Sequence, residues 1–526
     1  MEPMGGHKVT NRVRNLVVRG LILGVAVLLL RFVYVFSTTS SFQDAVGLSC
    51  DAAGFCLFSA SGTLNIVGIG GHQRPHSASA EHLAVDPAVR KLWTSKEWRQ
   101  RIDAYSAVFQ NLTQRGYLSR LSKTLVVPVG NREEAAAQQV LALREVGVVD
   151  SIGVGKKVHR PLVVYGDPFR HLPFEDDTFD FVFAGEGVID SMPKKVEEFA
   201  AEIGRMIRPG GIAVIHALAA KDMYSLNSFL DLFNCCKSVK SRKSGSFTEF
   251  ILKKHTIRRL GAGKSAPPGD ESSNKSSVCS APEWKKGLVK RAEPLIMEEP
   301  LKPWITLKRN IKNIKYLSSM VQISYKRRHV YIDVGSRSYG SSIVGWFKKQ
   351  YPKQNRTFEI FAIEADHTFH YEYGTKKGVQ LLPYAAWIRN ETLLFEINGG
   401  GDEDGEKGRG MGRIRTGGED SEMAEESREV LKVQGFDFAE WLMGAVSKKD
   451  FVVMKMDVEG TEFDLMPRLI ETGAICLIDE VFLECHYNRW QRSSRERTKK
   501  YKSTYSDCMN IFTSLRENGV LVHQWW

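Results

Sequence analysis

Three short apolar stretches in the second half of the chain each lead into a carboxylate. They are His329–Val334 with Asp333 near its end, Phe358–Ile363 followed by Glu364, and Phe451–Met456 followed by Asp457. Helical patterns separate them, and strands that alternate with helices form parallel sheets covered on both faces. Such sheets bind ligands at the carboxyl ends of their strands. The sequence therefore predicts an α/β unit over residues 301–526, with acidic side chains at its ligand-binding edge.

The first half of the chain shows the same alternation. Strands are predicted at 124–129, 162–165, 179–184 and 212–218, and helices at 133–145 and 194–208. We therefore predict another α/β unit over residues 91–260. Residues 261–300 are rich in Gly, Pro and Ser and are predicted to link the two units. Residues 399–429 are rich in Gly and acidic residues, which predicts a mobile loop inserted between strands of the second unit.

An apolar segment near the N-terminus gives a prediction of the cellular compartment in which the protein lies. Residues 16–36 have about the length that spans a bilayer, and the basic residues of 1–15 precede them. The positive-inside rule then predicts a cytosolic tail, a single-pass type II transmembrane anchor and a lumenal body on a stem, 37–90. We expect such a protein in the secretory pathway, in the Golgi. A cleaved signal peptide and a transit peptide to another organelle are the alternatives.

The distribution of charge and the spacing of the cysteines limit which partners and ligands the chain can bind. The net charge of +12 is concentrated at the N-terminus, in 237–330 and in 489–502, without a basic helix face that carries aromatic residues. This pattern predicts solvated or membrane-facing surfaces and no nucleic-acid partner. The chain has no zinc-type Cys/His spacing, so no metal ligands are predicted. Cys50 and Cys56 either pair in an oxidising lumen or are small apolar residues of the stem. Four glycosylation sequons fit a lumenal glycoprotein: Asn111, Asn274, Asn355 and Asn390.

Two motifs of the first unit occur together. They are Leu172-Pro173-Phe174-Glu175-Asp176-Asp177-Thr178-Phe179-Asp180 and Arg205-Met206-Ile207-Arg208-Pro209-Gly210-Gly211. With these motifs, residues 120–220 resemble the type-11 family of S-adenosylmethionine-dependent methyltransferases. The resemblance implies a Gly-x-Gly loop after the first strand and a carboxylate for the ribose after the second. This chain has Val127-Pro128-Val129-Gly130-Asn131-Arg132 and Ile152-Gly153-Val154-Gly155 at those places. We therefore expect a degenerate, catalytically silent copy, because the backbone cannot approach the cofactor closely and the ribose lacks its acceptor.

The second unit carries more candidate site residues. Its first predicted strand runs into a Gly-bearing turn, 333–340, which suits a polar ligand or is an ordinary turn between strand and helix. Glu364 suits two ribose hydroxyls, and its alternative is an exposed residue at a strand end. Asp457 and Glu459 follow a buried strand, where clustered carboxylates are costly unless a metal, a cation or a substrate amine uses them. His486 follows another strand and titrates near neutrality, or it is a polar strand end without a catalytic part.

Residues 329–486 resemble the FkbM family of methyltransferases. The matching pieces are Ile332-Asp333-Val334-Gly335, Ala362-Ile363-Glu364-Ala365, Ala385-Ala386-Trp387 and Lys455-Met456-Asp457-Val458-Glu459-Gly460-Thr461-Glu462. The resemblance implies a seven-stranded Rossmann-like sheet that binds S-adenosylmethionine. It places Asp333, Gly335, Gly340 and Glu364 at the cofactor. It places Asp457 and Glu459 near the transferred methyl group or the substrate. The family's Gly-x-x-x-Gly loop is one residue longer here.

The order of anchor, degenerate unit, linker and FkbM-like unit resembles plant tandem methyltransferase-like membrane proteins. We therefore predict two Rossmann-like, seven-stranded α/β units after a transmembrane helix. The second unit would transfer a methyl group to an oxygen or nitrogen of a glycan or small molecule, with His486 or Asp457 as the base. The alternative is a catalytically inactive module that binds a partner or acts as a scaffold. A lumenal body would exclude a nucleic-acid methyltransferase.

Overall fold

The computed structural model describes residues 48–50, 56–58, 95–128, 134–167, 169–187, 193–218, 221–245, 247–255, 281–398, 412–415, 428–491 and 496–525. In these ranges no helix is both long enough and apolar enough to cross a bilayer. The predicted tail 1–15 and anchor 16–36 lie outside them, as does most of the predicted stem. Within the stem, β1 (Leu48–Cys50) and β2 (Cys56–Phe58) pair antiparallel, with Cys50 opposite Cys56 in the register.

The first unit is an α/β sheet with helices against it. Its elements are α1 (Lys96–Gln114), β3 (Thr124–Val126), α2 (Ala135–Glu145), β4 (Ser151–Gly155), β5 (Val163–Tyr165), β6 (Phe179–Gly187), α3 (Pro193–Met206), β7 (Ile207–Leu218), α4 (Met223–Leu230), β8 (Cys236–Ser244) and β9 (Phe247–Lys254). The strand order is β5-β4-β3-β6-β7-β9-β8. Of these strands β9 runs antiparallel to its neighbours. This unit therefore has the seven strands that we predicted.

An apolar stripe on helix α3 explains how this helix covers the sheet. Val196, Phe199, Ala200 and Ile203 are buried in one cluster with the strands. Charged residues occupy the opposite face of the helix, so burial of the stripe fixes its orientation.

The second unit has two sheets. Its elements are α5 (Glu283–Val289), α6 (Pro303–Ile311), α7 (Leu317–Met320), β10 (His329–Val334), a π-helix (Gly340–Lys348), β11 (Phe358–Ile363), a 3₁₀-helix (His367–Phe369), α8 (His370–Gly374), β12 (Val379–Leu382), β13 (Ala385–Trp387), β14 (Glu391–Asn398), β15 (Gly412–Ile414), β16 (Arg428–Asp437), α9 (Phe438–Ala445), β17 (Phe451–Met456), α10 (Glu462–Glu471), a 3₁₀-helix (Ala474–Leu477), β18 (Glu480–Leu483), α11 (Tyr505–Glu517) and β19 (Leu521–Gln524). The main sheet is parallel throughout, in the order β12-β11-β10-β17-β18-β19.

The prediction of seven strands is wrong for this main sheet. Strand β18 pairs directly with β19, with Glu480 opposite Leu521. A seventh strand of the methyltransferase type would lie between them, and the direct pairing leaves no place for it. The main sheet of the second unit is therefore six-stranded, parallel and Rossmann-like.

The second sheet changes the interpretation of the insert 399–429. Strands β13, β16, β14 and β15 are neighbours in that order, and β14 pairs antiparallel with β15 and β16. Residues 412–414 and 428–429 of the insert are therefore strands, although most of the insert lies outside the described residues. Glycine and acidic side chains lower strand propensity, so local composition does not reveal a pairing that β14 supplies.

The predicted linker 261–300 ends earlier than expected. Helix α5 lies inside it and buries Leu288 and Val289. Glu293 is 2% exposed, with its carboxylate 2.5 Å from Nδ1 of His523 on β19. Residues 281–300 therefore pack on the second unit. The stretch is polar overall, so its composition did not indicate the few apolar residues that attach it.

The two units are in contact through buried side chains. The hydroxyl of Tyr224, on α4, donates to Oδ1 of Asp479 at 2.9 Å, just before β18. Tyr325, just before β10, belongs to the core of the first unit, where its ring lies 5.2 Å from that of Phe229. Each unit therefore contributes residues to the other's packing.

The Tyr224–Asp479 hydrogen bond predicts a cost for Tyr224→Phe. The variant leaves a buried carboxylate oxygen without its donor, which should lower the free energy of unfolding by about 1–3 kcal/mol. Chemical denaturation followed by circular dichroism measures this loss. Tyr165→Phe is the matched control because that side chain is 68% exposed. Equal stabilities of the two variants would contradict a structural role for the contact.

Candidate functional site

A cavity of about 340 Å³ lies where strands β10, β11 and β17 end. Most of its polar lining comes from the end of β17, the π-helix and the loops after β10, β11 and β17: Gly335, Ser336, Arg337, Ser341, Ser342, Glu364, Asp366, Lys455, Asp457 and Glu459. The second sheet forms another wall with Tyr384, Ala385, Ala386, Phe395, Gly412 and Ile414. Four of the predicted site residues, Gly335, Glu364, Asp457 and Glu459, therefore meet at one cavity.

Gly335 allows two of these loops to touch. Its φ is +77°, and a Cβ there would lie 1.9 Å from the carbonyl oxygen of Asp457. No side chain fits that space, so β10 and β17 can end this close together only with glycine at residue 335. The requirement comes from packing between two loops of the protein itself.

The loop after Gly335 is tied to Glu364. Arg337 has a left-handed backbone, with φ +50°, and its N–H donates to Oε2 of Glu364 at 2.5 Å. The hydroxyl of Tyr373 donates to the carbonyl oxygen of Arg337 at 2.8 Å. The Arg337 guanidinium lies 5.7 Å from the centre of the Phe369 ring. These contacts fix the longer loop that the sequence contains.

Glu364 is a buried carboxylate at the cavity. It is 7% exposed, and its Oε1 accepts a hydrogen bond from the N–H of Asp366 at 2.8 Å. Burial raises the pKa of Glu364 to about 7. Each carboxylate oxygen can accept more than one hydrogen bond, so Glu364 can still bind hydroxyl groups of a ligand in the cavity.

Asp333 and Gly340 differ from the expectation. Asp333 is fully buried below the cavity lining, and its Oδ2 accepts from the hydroxyls of Tyr331 at 3.0 Å and Ser342 at 2.5 Å. Burial raises the pKa of Asp333. Gly340 is exposed at the start of the π-helix and does not line the cavity, and a Cβ added there would meet no atom within 4 Å. All six residues of β10 are buried. Asp333 lies on the same face of the strand as Tyr331, and through Ser342 it braces the π-helix.

Lys455 is a site residue that sequence reasoning missed. Its Nζ lies 3.6 Å from Oδ1 of Asp333 and 3.7 Å from Oδ2 of Asp457. Burial alone lowers the pKa of Lys455, but the two carboxylates outweigh it and the pKa is raised. A buried cation therefore joins the two strand ends. Its sequence signals are its position in an otherwise apolar strand and at the start of the motif 455–462.

Carboxylates surround His486 beside the cavity. Its Nε2 lies 3.7 Å from Asp457, 3.8 Å from Glu459 and 3.9 Å from Glu484. Burial lowers the pKa of His486, but Glu462 and the other carboxylates outweigh it and raise the pKa to about 9. Burial and the charge of Asp457 raise the pKa of Glu484 to about 7. His486 does not line the cavity itself; it lies behind Asp457 and Glu459 and is charged at neutral pH.

Aromatic residues of the lining were also missed. Trp525, on the segment after β19, both packs in the core and lines the cavity. Phe369, in the 3₁₀-helix after β11, and Tyr384, just before the motif Ala385-Ala386-Trp387, also line the cavity. Contacts between elements distant in sequence place them there, so local pattern could not find them.

In the first unit, the two sequence motifs are joined by hydrogen bonds. The Arg205 guanidinium donates to the carbonyl oxygens of Phe174 at 2.7 Å and Leu172 at 3.2 Å, which ties the two motifs together. Strand β4 ends at Gly155, and Lys156 and Lys157 follow it where a ribose carboxylate was absent from the sequence. The loop 129–133 lies outside the described residues. These hydrogen bonds hold the described parts of the two motifs against each other.

The glycine loop yields a paired prediction. Gly335→Ala places a Cβ against the Asp457 carbonyl and strains a positive φ, so we expect a loss of more than about 2 kcal/mol in the free energy of unfolding. Gly340→Ala, in the same loop, should leave the stability unchanged or slightly higher. Denaturant titration measures both. A Gly335→Ala protein as stable as the control would show that the loops do not approach this closely.

Glu364 predicts a pH dependence of stability. The pKa of a glutamate is about 4.3 in an unfolded chain. In this fold, burial raises the pKa of Glu364 to about 7. Between these values the folded state binds the extra proton, so stability falls as pH rises. We expect the wild-type chain to lose about 3 kcal/mol over that range relative to Glu364→Gln. Melting curves of both proteins at pH 5 and pH 8 test this, and parallel pH profiles would contradict it.

Comparison with known proteins gives matches in both units. Residues 151–215 match the family described as a methyltransferase domain. Residues 289–393 and 418–526 match a family described as a domain of unknown function (DUF7870). A 65-residue stretch is 37% identical to sterol 24-C-methyltransferase erg6 of Schizosaccharomyces pombe, and it covers 12% of this chain and 16% of that enzyme.

Solved structures give weaker likenesses. The PH0226 protein from Pyrococcus horikoshii is 15% identical with a TM-score of 0.25, and the match covers 31% of this chain and 93% of that one. A SAM-dependent methyltransferase from Aquifex aeolicus is 13% identical with a TM-score of 0.23, and the match covers 32% and 97%. The family match places a methyltransferase domain segment in the first unit.

Proposed function

We propose that this chain is an S-adenosylmethionine-dependent methyltransferase whose working site is the cavity of the second unit. The observation that carries the proposal is the meeting of Glu364, Asp457 and Glu459 at one cavity, at the carboxyl ends of three parallel strands. Rossmann-like sheets bind nucleotide-containing cofactors at this edge. The methyltransferase domain match in the first unit supports the same class of activity.

The residues present fit the cofactor. Glu364 ends the second strand of the sheet, where its carboxylate can accept hydrogen bonds from ribose hydroxyls. Phe369, Tyr384 and Trp525 give the cavity apolar and aromatic surface for a purine. S-adenosylmethionine supplies an electrophilic methyl group on a sulfonium. Asp457 and Glu459 place negative charge at the same cavity, which favours a cationic ligand.

Asp457 is the better placed base of the two candidates. Its side chain is 26% exposed and lines the cavity, whereas His486 is 10% exposed and lies behind it. With its pKa raised to about 9, His486 holds a proton at neutral pH and cannot accept another. Asp457 would take the proton from an oxygen or nitrogen acceptor, and His486 would orient it.

The finer assignments belong to the same proposal. We take the second unit as FkbM-like, in a tandem arrangement with a silent first unit, as its motifs suggest. We also propose a type II anchor and a Golgi lumen, where a glycan hydroxyl is a reasonable acceptor. A disulfide between Cys485 and Cys508 supports an oxidising compartment.

One observation favours a catalytically inactive binding module instead. Glu364 already accepts two backbone hydrogen bonds, and Arg337 brings a positive charge to the cavity that a sulfonium would meet. In that case the cavity would bind a partner or a ligand without transfer of a methyl group.

Calorimetry of the full chain with S-adenosylmethionine tests the proposal. We expect one binding event, weakened at least tenfold, or about 1.4 kcal/mol, by Glu364→Gln. Glu440→Gln, at an exposed position on α9, is the matched control. No heat at millimolar cofactor would favour the binding module. Photocrosslinking should label the second unit, and labelling within residues 151–215 would move the site to the first.

A further inference from the structure

We propose that Asp457, Glu459 and His486 form a binding site for a divalent transition-metal ion, Mn²⁺ or Zn²⁺, beside the cavity. One ligand atom from each residue lies within 4.8 Å of the others. Glu484 lies next to them and supplies a further carboxylate. The site joins the ends of β17 and β18, which neighbour each other in the sheet.

The distances within the cluster suit an ion between the side chains. Nε2 of His486 is 3.7 Å from Oδ1 of Asp457 and 3.8 Å from Oε1 of Glu459. These separations are too long for hydrogen bonds. Ligands that each lie about 2.1 Å from one metal ion are roughly 3.0–3.6 Å apart at ordinary bond angles. The Asp457 and Glu459 oxygens lie within 4.8 Å of each other. A closure of the cluster by up to roughly 1 Å would therefore bring all three atoms to bonding distance.

The opposite atom of each carboxylate is held by a cation or a donor. Oδ2 of Asp457 faces Lys455 at 3.7 Å. Oε2 of Glu459 accepts from Nζ of Lys500 at 2.7 Å and from the hydroxyl of Tyr501. The remaining oxygens, Oδ1 and Oε1, are the ones that point to His486. Outer contacts of this kind orient metal ligands in proteins.

The imidazole is oriented in the same manner. Its Nδ1 lies 3.3 Å from Oε1 of Glu462, a fully buried carboxylate that also accepts from the backbone N–H of His486. A carboxylate on the far nitrogen is the usual partner of a metal-binding histidine. Among the described residues, Nε2 makes no hydrogen bond, and the side chain is nine-tenths buried. Nδ1 makes no hydrogen bond there either and only faces Glu462. Nε2 is the nitrogen that faces Asp457 and Glu459, so it is the one placed to share a ligand with them.

The donor set selects the class of ion. One imidazole nitrogen with carboxylate oxygens suits Mn²⁺ and Zn²⁺, whereas Mg²⁺ and Ca²⁺ prefer oxygen ligands alone. The competing arrangement is a proton on Nε2, which would balance the carboxylates without any metal. The experiment must therefore separate a bound metal ion from a bound proton.

A metal here would also bear on the acceptor. Asp457 and Glu459 line the cavity, so an ion that they bind would be within reach of an oxygen of the methyl acceptor. That role rests on the proposed function, but metal binding itself does not.

The test is calorimetry of the full, chelator-stripped chain with MnCl₂ and with ZnCl₂, without cofactor. We expect one ion per chain and an affinity at least tenfold lower in His486→Ala and in Glu459→Gln. His255→Ala is the matched control, because that histidine is exposed at the end of β9, and it should bind as the wild type does. No binding by the wild type, or equal binding by both cluster variants, would overturn the site in favour of the proton.

Two further measurements separate a loss of metal binding from a failure to fold and from a failure of the proposed function. Glu459→Gln removes one charge from a repelling cluster and should fold even if His486→Ala does not, which a melting curve shows. Glu364→Gln should bind the metal normally while it loses S-adenosylmethionine. Metal binding without cofactor binding would therefore support this site and contradict the proposed function, and cofactor binding without metal binding would do the reverse.

Discussion

The carbonyl oxygen of Asp457 occupies the space that a side chain on residue 335 would need. This contact brings the ends of β10 and β17 together, and Lys455 binds them further through Asp333 and Asp457. With the loops in contact, the Asp457 side chain is directed to the cavity and to His486. The cavity, the buried cation and the carboxylate cluster therefore share one geometric origin.

The sequence predicted the parts of the second unit that depend on local pattern. Strands β10, β11 and β17 have the predicted bounds, because apolar runs flanked by polar residues mark buried parallel strands. Glu364 and Asp457 meet at the cavity because each follows such a strand. Pairing between segments that are distant in the chain could not be predicted from local pattern. The six-stranded main sheet, the strand at 412–414 and the cavity position of Trp525 all depend on such pairing. The structural role of Asp333 depends on its hydrogen bonds with Tyr331 and Ser342, and the motif alone does not show them.

One basic stretch has a different role from the one that the charge pattern predicted. The basic stretch 489–502 was predicted to be a solvated or membrane-facing surface. Lys500 instead donates to Glu459. Carboxylates held close together repel, and their charge must be balanced if the fold is to keep them. Part of the basic excess thus offsets the acidic cluster at the end of β17, and a net charge taken over a whole stretch hides this local balance.

The contacts between the units lie at the edge of the second sheet opposite the cavity. Tyr224 binds Asp479 before β18, and Glu197 lies 3.2 Å from Lys449 before β17. The carboxyl ends of the same two strands carry Asp457 and Glu484. The first unit therefore supports the second sheet from its amino-terminal edge, where it can stabilise the strands while the cavity remains at the other edge.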